Sequence, residues 1–428
     1  MRVMKDSGVE WIGEIPKDWE ILPTKRFFSH TKTLAGDKVD TYERLALTMN
    51  GVIKRSKDDS EGLQPEKFDT YQVLKENELV FKLIDLANVK TSRVGLSPFT
   101  GIVSPAYIVL TNESDDNRFY YYFFISMYYN EIFNRLGDNG VRSSLNAQDL
   151  LSVPIVNISS DTQHRIADFL DDKCGKIDRY IEKQQKIIDK LKEYKQAVIT
   201  EAVTKGLNPD VPMKDSGIEW IGMIPEHWGI RRLRYLGTCV NGISKGGEYF
   251  GSGYPFVSYG DVYKNMELPS SVAGLVETTE DEREWYSVKE GDVFFTRTSE
   301  TVEEVALTST CMKTIENATF AGFLIRFRPN TNLLTKEFSK YYFRSDKHRL
   351  FFVKEMNLVT RASLSQELLK RLPVLLPTID EQLTIAAYLE QKCSNIDEAI
   401  NKKNSVIEKL IKYKKSLIYE AVTGKLEV

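Results

Sequence analysis

One sixteen-residue motif occurs twice in this chain of 428 residues, at positions that are 209 residues apart. Residues 4–19 are MKDSGVEWIGEIPKDW and residues 213–228 are MKDSGIEWIGMIPEHW, with 12 identities in the 16 positions. We call these segments tag 1 and tag 2. A second motif repeats at an offset of 219, as DTQHRIADFLDDKCGKID in residues 161–178 and DEQLTIAAYLEQKCSNID in residues 380–397. An internal repeat of this length predicts two structurally similar halves, related by a pseudo-two-fold axis.

Each half has the same order of segments: a tag, a middle and a long C-terminal segment. The two middles, residues 20–160 and 229–379, share little sequence. A duplicated enzyme is expected to keep its chemistry in both copies, whereas here the surrounding frame is kept and the middles diverge. The pattern therefore favours two related binding domains over a duplicated active site.

The C-terminal segment of each half predicts a long helix, over residues 161–207 and 380–428. Capping boxes are expected at Ser160 with Gln163 and at Thr378 with Glu381. Apolar residues follow the three-and-four spacing that is typical of a coiled-coil seam. The predicted helix-packing residues are Ile177, Ile181, Ile188, Leu191 and Val198, with Ile396, Ile400, Ile407, Leu410 and Leu417 as their counterparts.

We expect these helices to pack as an antiparallel pair that forms a spacer between the two middles. The alternative is that each helix packs only on its own globular domain. Since the second half begins six residues after Leu207, which matches Leu426, the symmetry also predicts that the chain's two termini are adjacent. Trp11, Ile12, Ile15, Pro16 and Trp19 of tag 1 favour a hydrophobic clasp onto a helix or domain; base stacking by the tryptophans is the alternative. 

The predicted fold class is α+β, with two mixed globular domains that alternate with the helices. Tag 1 and the first domain occupy residues 1–160, and tag 2 and the second domain occupy residues 208–379. Short strands are expected at residues 78–82, 106–110, 292–296 and 323–327, because apolar runs there are bounded by turn residues. Residues 119–135 and 336–353 are aromatic-rich and more typical of helices.

Several classes of protein are disfavoured by the sequence. The net charge of −3 excludes a uniformly basic protein that coats nucleic acid, so any surface for an anion must be a local patch. Phosphate-binding GxxxxGK[ST] and HExxH motifs are absent, and no apolar run is long enough to span a membrane. The four cysteines, Cys174, Cys239, Cys311 and Cys393, show no CxxC spacing, which favours a reduced, cytosolic setting without a metal site.

The repeated motifs resemble those of the specificity subunits of Type I restriction–modification enzymes. The resemblance rests on the tag DSGxEWIGxIPxxW, on the PxxDxQxxIAxxL-like start of each helix and on the closing EAVTxG(K)L, all of which occur twice and in the same order. One departure is Thr162, which stands where the family usually has an acidic residue before Gln163.

The resemblance implies a DNA-binding subunit without catalysis of its own. Each globular domain would then recognise one half of an asymmetric, bipartite target in double-stranded DNA, and the helices would set the gap between the halves. The partners would be two modification (methyltransferase) subunits and, for cleavage, two restriction (translocase and nuclease) subunits. S-adenosylmethionine, ATP and magnesium would belong to those partners, in the cytoplasm of a bacterium or archaeon.

Cations and small polar residues in loops are the best candidates for contacts with phosphates and base edges. Arg142 and Arg361 occupy equivalent positions in unlike domains, which favours a shared phosphate contact over base recognition. The full set of predicted DNA-binding residues is Lys82, Lys90, Ser92, Arg93, Arg142 and Ser143 in the first domain, and Lys245, Arg297, Thr298, Ser299, Arg361 and Ser363 in the second.

Two other functions stay open at this point. A two-domain adaptor on a coiled coil, with no role in DNA binding, would explain the helices and the symmetry but not the arginines in the loops. A nuclease would need its own carboxylate site, for which Asp85 and Asp292 are the candidate acids.

Overall fold

The structure is a computed structural model. It describes residues 2–49, 51–58, 68–84, 86, 93–114, 116–136, 144–299, 305–355 and 362–428. The chain divides into two compact units: unit 1 comprises residues 1–185 and 404–428, and unit 2 comprises residues 186–403. No helix in these ranges has both the length and the apolar character that crossing a membrane requires.

The first half of the chain contains short strands, three short helices and one long helix. Its strands are β1 (Met4–Asp6), β2 (Glu14–Pro16), β3 (Glu20–Pro23), β4 (Arg44–Thr48), β5 (Gly51–Arg55), β6 (Gln72–Leu74), β7 (Leu79–Phe81), β8 (Val94–Leu96), β9 (Gly101–Val103), β10 (Ile108–Leu110) and β11 (Pro154–Asn157). Its α-helices are α1 (Arg118–Tyr129), α2 (Ile132–Leu136), α3 (Ala147–Ser152) and α4 (Ser160–Lys205).

The second half repeats this plan with more strands. These are β12 (Met213–Asp215), β13 (Met223–Pro225), β14 (Gly229–Arg232), β15 (Gly237–Asn241), β16 (Phe250–Val257), β17 (Gly274–Val276), β18 (Val293–Thr296), β19 (Thr298–Ser299), β20 (Thr308–Thr310), β21 (Thr319–Phe320), β22 (Leu324–Pro329), β23 (Ala362–Ser363) and β24 (Pro373–Leu376). The helices are α5 (Tyr259–Lys264), α6 (Glu280–Trp285), α7 (Lys336–Tyr342), α8 (Asp346–Glu355), α9 (Gln366–Arg371) and α10 (Ile379–Val422).

The two middles have the same central sheet despite their different sequences. In unit 1 the strand order is β10-β7-β8, and in unit 2 the corresponding order is β22-β18-β20, with β15 added beside β22. All these neighbours pair antiparallel, with Ile108 opposite Phe81 in unit 1 and Ile325 opposite Phe295 in unit 2. The first and last strands of each middle also pair, β3 with β11 and β14 with β24. The predicted α+β class is confirmed.

The long helices α4 and α10 run antiparallel where they meet. In unit 1, Lys414 Nζ lies 2.7 Å from both carboxylate oxygens of Asp178. From this pair, α10 continues forward to Val422 while α4 runs back to Ile166, and both ends join one apolar cluster. In unit 2, Lys195 Nζ contacts the Asp397 carboxylate at 2.6 and 2.8 Å, which is the same pair with the helices exchanged.

The predicted helix-packing residues are all shielded from solvent, although to different degrees. Ile177, Ile188, Ile396 and Leu417 are buried, and Ile181, Leu191, Val198, Ile400, Ile407 and Leu410 are half-buried. The helices also contact the globular part of their unit, because Leu170 and Cys174 of α4 share a cluster with Phe119 and Phe123 of α1. Packing between the helices and packing on the domains therefore occur together.

Each tag is clamped by the C-terminal end of a long helix. Ile12, Ile15 and Trp19 of tag 1 are at most 2% exposed, and the Tyr419 hydroxyl donates to the Ile12 carbonyl at 3.0 Å. A Cβ at Gly424 would lie 2.9 Å from the Trp19 ring, which leaves room only for glycine at that close approach. The helix residues in the same cluster are Leu417, Ile418, Ala421 and Val422.

Tag 2 is held in the same way by the end of α4. Ile221, Ile224 and Trp228 are buried in one cluster with Ile199, Ala202 and Val203 of α4. Trp228 also faces Gly206, which ends α4 in the left-handed conformation. The interpretation of the tags as hydrophobic clasps is confirmed. The contact of tag 1 with the end of α10 also confirms that the N- and C-terminal segments are adjacent.

The start of α4 corrects one detail of the predicted capping. The cap is Ser159 rather than Ser160, because the Thr162 amide donates to the Ser159 hydroxyl at 3.4 Å. In α10 the box is as predicted: the Thr378 amide donates to the Glu381 carboxylate at 3.0 Å, and the Glu381 amide donates to the Thr378 hydroxyl at 3.3 Å. Ser159 and Thr378 are 219 positions apart, so the repeat keeps a single register here.

Candidate nucleic-acid interface

Two of the predicted DNA-binding loops in unit 2 form one surface. Arg297 follows β18, and the next two residues form β19, which pairs antiparallel with β23. Thr298 lies opposite Ser363, and the Leu364 amide donates to the Arg297 carbonyl at 2.7 Å. The structure thus joins segments that are more than 60 residues apart in sequence, through main-chain hydrogen bonds.

Unit 1 contains the same junction. Ile84 forms an antiparallel bridge with Ser144, and the Leu145 amide donates to the Leu83 carbonyl at 2.9 Å. Leu145 and Leu364 end the equivalent sequences Arg-Ser-Ser-Leu and Arg-Ala-Ser-Leu, 219 positions apart. In each unit, the loop that follows the central strand is therefore bound to the segment that ends before α3 or α9.

A third predicted loop of unit 2 borders this surface. The amide of Gly322 donates to the Ile243 carbonyl at 2.8 Å, and the Arg297 amide donates to the Phe323 carbonyl at 2.9 Å. The turn 321–323 therefore bridges Ser244 and its neighbours to the Arg297 loop. We call the combined surface, residues 243–245, 297–299, 321–323 and 362–363, the recognition edge of unit 2.

Within this edge, the predicted residues differ in how they are held. Arg297 and Thr298 are half-buried, and Ser363 is exposed. In the described part of the chain, the Arg297 guanidinium forms no ion pair or hydrogen bond. Of Ser299 only the backbone is described. Arg361, and in the first domain Lys90, Ser92, Arg142 and Ser143, lie outside the described residues, so their assignment stays a prediction.

Lys245 is held by contacts within its own domain. Its ammonium donates to Glu282 Oε2 at 2.7 Å and to the Glu277 carbonyl at 2.8 Å. This bond is the main reason why the pKa of the Glu282 carboxyl lies below its usual value. The side chain is only 15% exposed, so its structural role is to fix the loop rather than to present a free cation.

Arg93 requires a correction in the first domain. It is 1% exposed, and its guanidinium donates to the Leu86 carbonyl at 2.9 Å and to the Ile84 carbonyl at 3.4 Å. The bond to Leu86 is buried, so it satisfies a backbone oxygen that water does not reach. Arg93 thus holds Ile84 and Leu86 from inside the domain and has no surface for DNA. Lys82, at the start of the same loop, is half-buried.

The carboxylate proposed for a nuclease site in unit 2 is part of the protein core. Asp292 is fully buried, and both of its oxygens accept hydrogen bonds from Arg328, each at 2.6 Å. One oxygen also accepts the Lys289 amide at 2.7 Å. A carboxylate that is fully buried and paired with an arginine is a structural group and is not accessible to a DNA substrate. Asp85 lies outside the described residues.

The cysteines have structural environments. All four are free and buried, and burial raises the pKa of Cys174 to about 11 and the pKa of Cys239 and Cys311 to about 12. Burial also raises the pKa of Cys393. Protonated, buried thiols are poor nucleophiles, so the four cysteines act as small packing residues.

A pair of tyrosine–carboxylate contacts joins each domain to its long helix. The Tyr122 hydroxyl donates to Asp171 at 2.6 Å in unit 1, and the Tyr341 hydroxyl donates to Glu390 at 2.7 Å in unit 2. Burial, together with the neighbouring carboxylate, raises the pKa of both phenols, so both remain donors. Sequence reasoning missed these pairs, although both tyrosines and both acids are separated by the offset of 219.

A cation reinforces each of these contacts. In unit 1, Arg118 donates to Asp168 at 2.8 Å and to Asp171 at 2.6 Å. In unit 2, Lys340 donates to Glu390, and its side chain is 8% exposed. The domain helices α1 and α7 are therefore fixed on α4 and α10, and this sets the direction in which each unit presents its loops relative to its own helix.

Known proteins are similar to this chain in sequence and in fold. Residues 225–409 match the family model described as the Type I restriction modification DNA specificity domain. The specificity subunit of the type I restriction enzyme EcoKI from Escherichia coli (strain K12) is 24% identical over 445 residues, which cover 97% of this chain and 90% of the relative. A putative type I restriction enzyme MjaX specificity subunit from Methanocaldococcus jannaschii is 28% identical over 206 residues, or 47% of each chain.

The fold is similar to that of a solved structure described as the structural basis of complex assembly and conformational transition of the type I R-M system. The TM-score is 0.71 at 14% identity, over 96% of this chain and 99% of that chain. The relatives named above are specificity subunits, in keeping with a chain that contributes recognition to a complex. The resemblance to the specificity subunits of Type I restriction–modification systems, predicted from the repeated motifs, is thereby confirmed over nearly the whole chain.

Proposed function

We propose that this chain is the sequence-specific DNA-binding subunit of a Type I restriction–modification complex. Each globular domain recognises one half of an asymmetric, bipartite target, and the long helices set the gap between the two halves. Because the main-chain frame is the same in both units while the side chains differ, the two half-sites have different sequences.

The observation that carries this proposal is the junction of loops that occurs once in each unit. Leu145 with Leu83, and Leu364 with Arg297, form the same hydrogen bond between the same two elements. Each junction adjoins a segment with a predicted arginine, and side chains on adjacent loops can reach base edges and phosphates together. Two such surfaces in one chain suit a target with two separate parts.

The partners follow from the repeated frame. Two similar sets of tag and helix provide two similar docking surfaces, which suit two copies of one modification subunit. We infer that these subunits methylate adenine with S-adenosylmethionine, and that two restriction subunits supply ATP- and magnesium-dependent cleavage. The complex would act in the cytoplasm of a bacterium or archaeon.

A methylation map of the source genome is the direct test. We expect a two-part motif with one methylated adenine in each part, which disappears when the gene for this chain is deleted and returns on complementation. A genome with no such motif, or a motif unaffected by the deletion, would contradict the proposal.

Salt dependence separates DNA recognition from the function of an adaptor. Release of counterions makes the logarithm of the affinity fall with the logarithm of the salt concentration, with a slope of about −0.9 for each neutralised phosphate. We expect a slope that corresponds to several phosphates for the chain with its modification subunits, and a preference for the mapped motif over a scrambled duplex. An adaptor would show neither.

A further inference from the structure

We propose that Phe323 is a base-contacting residue of the second domain, and that its ring packs against a thymine methyl group in the half-site which that domain recognises. This inference rests on the proposed function and goes beyond it, because it assigns a specificity-determining residue that the sequence patterns do not single out. Phe323 is 64% exposed, at the tip of the turn that precedes β22.

The position of Phe323 distinguishes it from an ordinary exposed apolar residue. It lies at the centre of the recognition edge of unit 2, where its carbonyl accepts the Arg297 amide at 2.9 Å. The neighbouring positions of the edge carry polar residues: the Arg297 amide bonds to the Phe323 carbonyl, and Thr298 and Ser363 lie opposite each other in the adjoining β19–β23 pair. An apolar side chain among polar ones matches the major-groove edge of a base pair with thymine, where a methyl group lies beside hydrogen-bonding groups.

The turn that carries Phe323 is fixed by its neighbours. The Ala321 amide donates to the Val257 carbonyl at 3.0 Å, and the Gly322 amide donates to the Ile243 carbonyl at 2.8 Å. A Cβ at Gly322 would lie 2.2 Å from the Ser244 hydroxyl, so the two segments approach closely. Since the backbone is already held in place, little conformational entropy is lost when Phe323 contacts a partner.

The first domain shows what is specific to the second. The pairing of β10 with β7 places Ile108 opposite Phe81, and the pairing of β22 with β18 places Ile325 opposite Phe295. Counting back two residues in each strand aligns Phe323 with Ala106, which is also exposed and in a turn. The backbone frame is therefore the same, and at this position only the second domain has an aromatic ring.

The test compares Phe323→Ala with Tyr235→Ala in the full chain, purified with its modification subunits. Tyr235 is a matched control, because it is 63% exposed and lies beyond the other end of the β15–β22 pair. Each protein is titrated with the mapped target duplex and with duplexes in which one half-site is scrambled. We expect Phe323→Ala to lose about tenfold on the mapped target and to change less than twofold when the second half-site is scrambled. Tyr235→Ala should stay within twofold throughout.

Deoxyuridine, which lacks the methyl group, locates the contact. When deoxyuridine replaces the thymines of the second half-site one at a time, the affinity of the wild-type protein should fall at one position. The affinity of Phe323→Ala should not change at that position. Phe323→Leu, which keeps an apolar side chain, should retain most of the affinity. Phe323→Ser, which removes the ring and leaves a polar side chain, should lose as much affinity as Phe323→Ala, and it replaces Phe323→Ala if that variant does not fold.

The outcomes separate the inference from the proposed function. If the wild-type complex does not distinguish the mapped target from a scrambled duplex, the proposed function fails. If it does distinguish them, but Phe323→Ala binds like wild type or loses affinity equally for every duplex, only the base contact is wrong. Indifference of the wild-type protein to every deoxyuridine would overturn the assignment to a thymine methyl group.

Discussion

Replacing the last tryptophan of either tag, Trp19 or Trp228, by alanine should destabilise one unit of the protein. Trp19 is 2% exposed and Trp228 is 1% exposed, so each ring is almost entirely within a core. A buried tryptophan removes about 200 Å² from water, and at about 25 cal/mol per Å² this corresponds to about 5 kcal/mol. Since alanine retains part of that burial, we expect Trp19→Ala and Trp228→Ala each to lower the free energy of unfolding by about 3–5 kcal/mol.

Hydrogen exchange followed by mass spectrometry can show where the destabilisation occurs. Trp19→Ala should accelerate exchange in tag 1 and at the C-terminal end of α10, because these segments share one cluster. Trp228→Ala should do so in tag 2 and at the end of α4. Trp285→Ala is the control: that ring is 66% exposed, and its loss should change stability by less than about 0.5 kcal/mol.

The same variants decide between a clasp and a base-stacking role for the tags. If the Trp19 and Trp228 variants unfold like wild type but bind DNA weakly, the rings contact nucleic acid and the clasp is the wrong explanation. In the structure, tag 1 packs on the end of α10 and tag 2 on the end of α4. Destabilisation of α4 alone by Trp19→Ala, or of α10 alone by Trp228→Ala, would contradict this pairing.

Three further predictions concern the core, the contact between domain and helix, and the independence of the domains. Arg328→Met should lower the free energy of unfolding by about 3–5 kcal/mol, because it leaves the Asp292 carboxylate buried without its cation. In denaturant titrations, adding Asp292→Asn should recover part of this loss. Recovery of none of it would mean that the charge is not the cause. Tyr341→Phe should lower the free energy of unfolding by about 1 kcal/mol at neutral pH, because it removes a hydrogen bond to a charged group. The value is small because the Glu390 side chain is 65% exposed and water screens its charge. The bonds from Lys340 and then Tyr341 hold the pKa of Glu390 below its usual value, so this stabilisation is present above the ordinary carboxyl pKa and is lost as the pH falls through the lower folded value. A cost that does not fall as the pH is lowered from 7 through the folded pKa of Glu390, located by titration of that carboxyl, would refute this cause. Exchanging residues 20–160 for another such middle should change one half of the methylated motif, and a change in both halves would show that the domains are not independent.

The frame of the molecule could be predicted from its sequence because it is repeated. Two copies of each tag and helix motif revealed the order of the segments, the long helices and the adjacency of the terminal segments before any contact was known. The strand at residues 292–296 was likewise evident, since its apolar run is bounded by turn residues, and the structure places it at Val293–Thr296. The repeat thus predicted the order of the segments, and the local pattern of apolar and turn residues predicted individual strands.

The side chains of the candidate interface could not be predicted in this way. Arg93 appears in sequence as one of several cations in a polar loop, but its burial depends on two carbonyls that the fold turns inward. Phe323 appears as the first residue of an apolar strand, whereas the strand begins at Leu324 and leaves the ring on the preceding turn. A shift of one residue thus separates a core aromatic from an exposed one, and the sequence pattern does not resolve that shift.

The way in which the loops are joined explains how two domains with little sequence in common can share one frame. The bonds from the Leu145 amide to the Leu83 carbonyl, and from the Leu364 amide to the Arg297 carbonyl, involve main-chain atoms only. Because every residue except proline can donate such a bond, side chains along the edge can change without loss of the junction. Exposed positions there, such as Ser363, should accept most substitutions within about 0.5 kcal/mol of stability. A new half-site preference can therefore arise from a few edge residues while the core and the helices that position the edge stay the same.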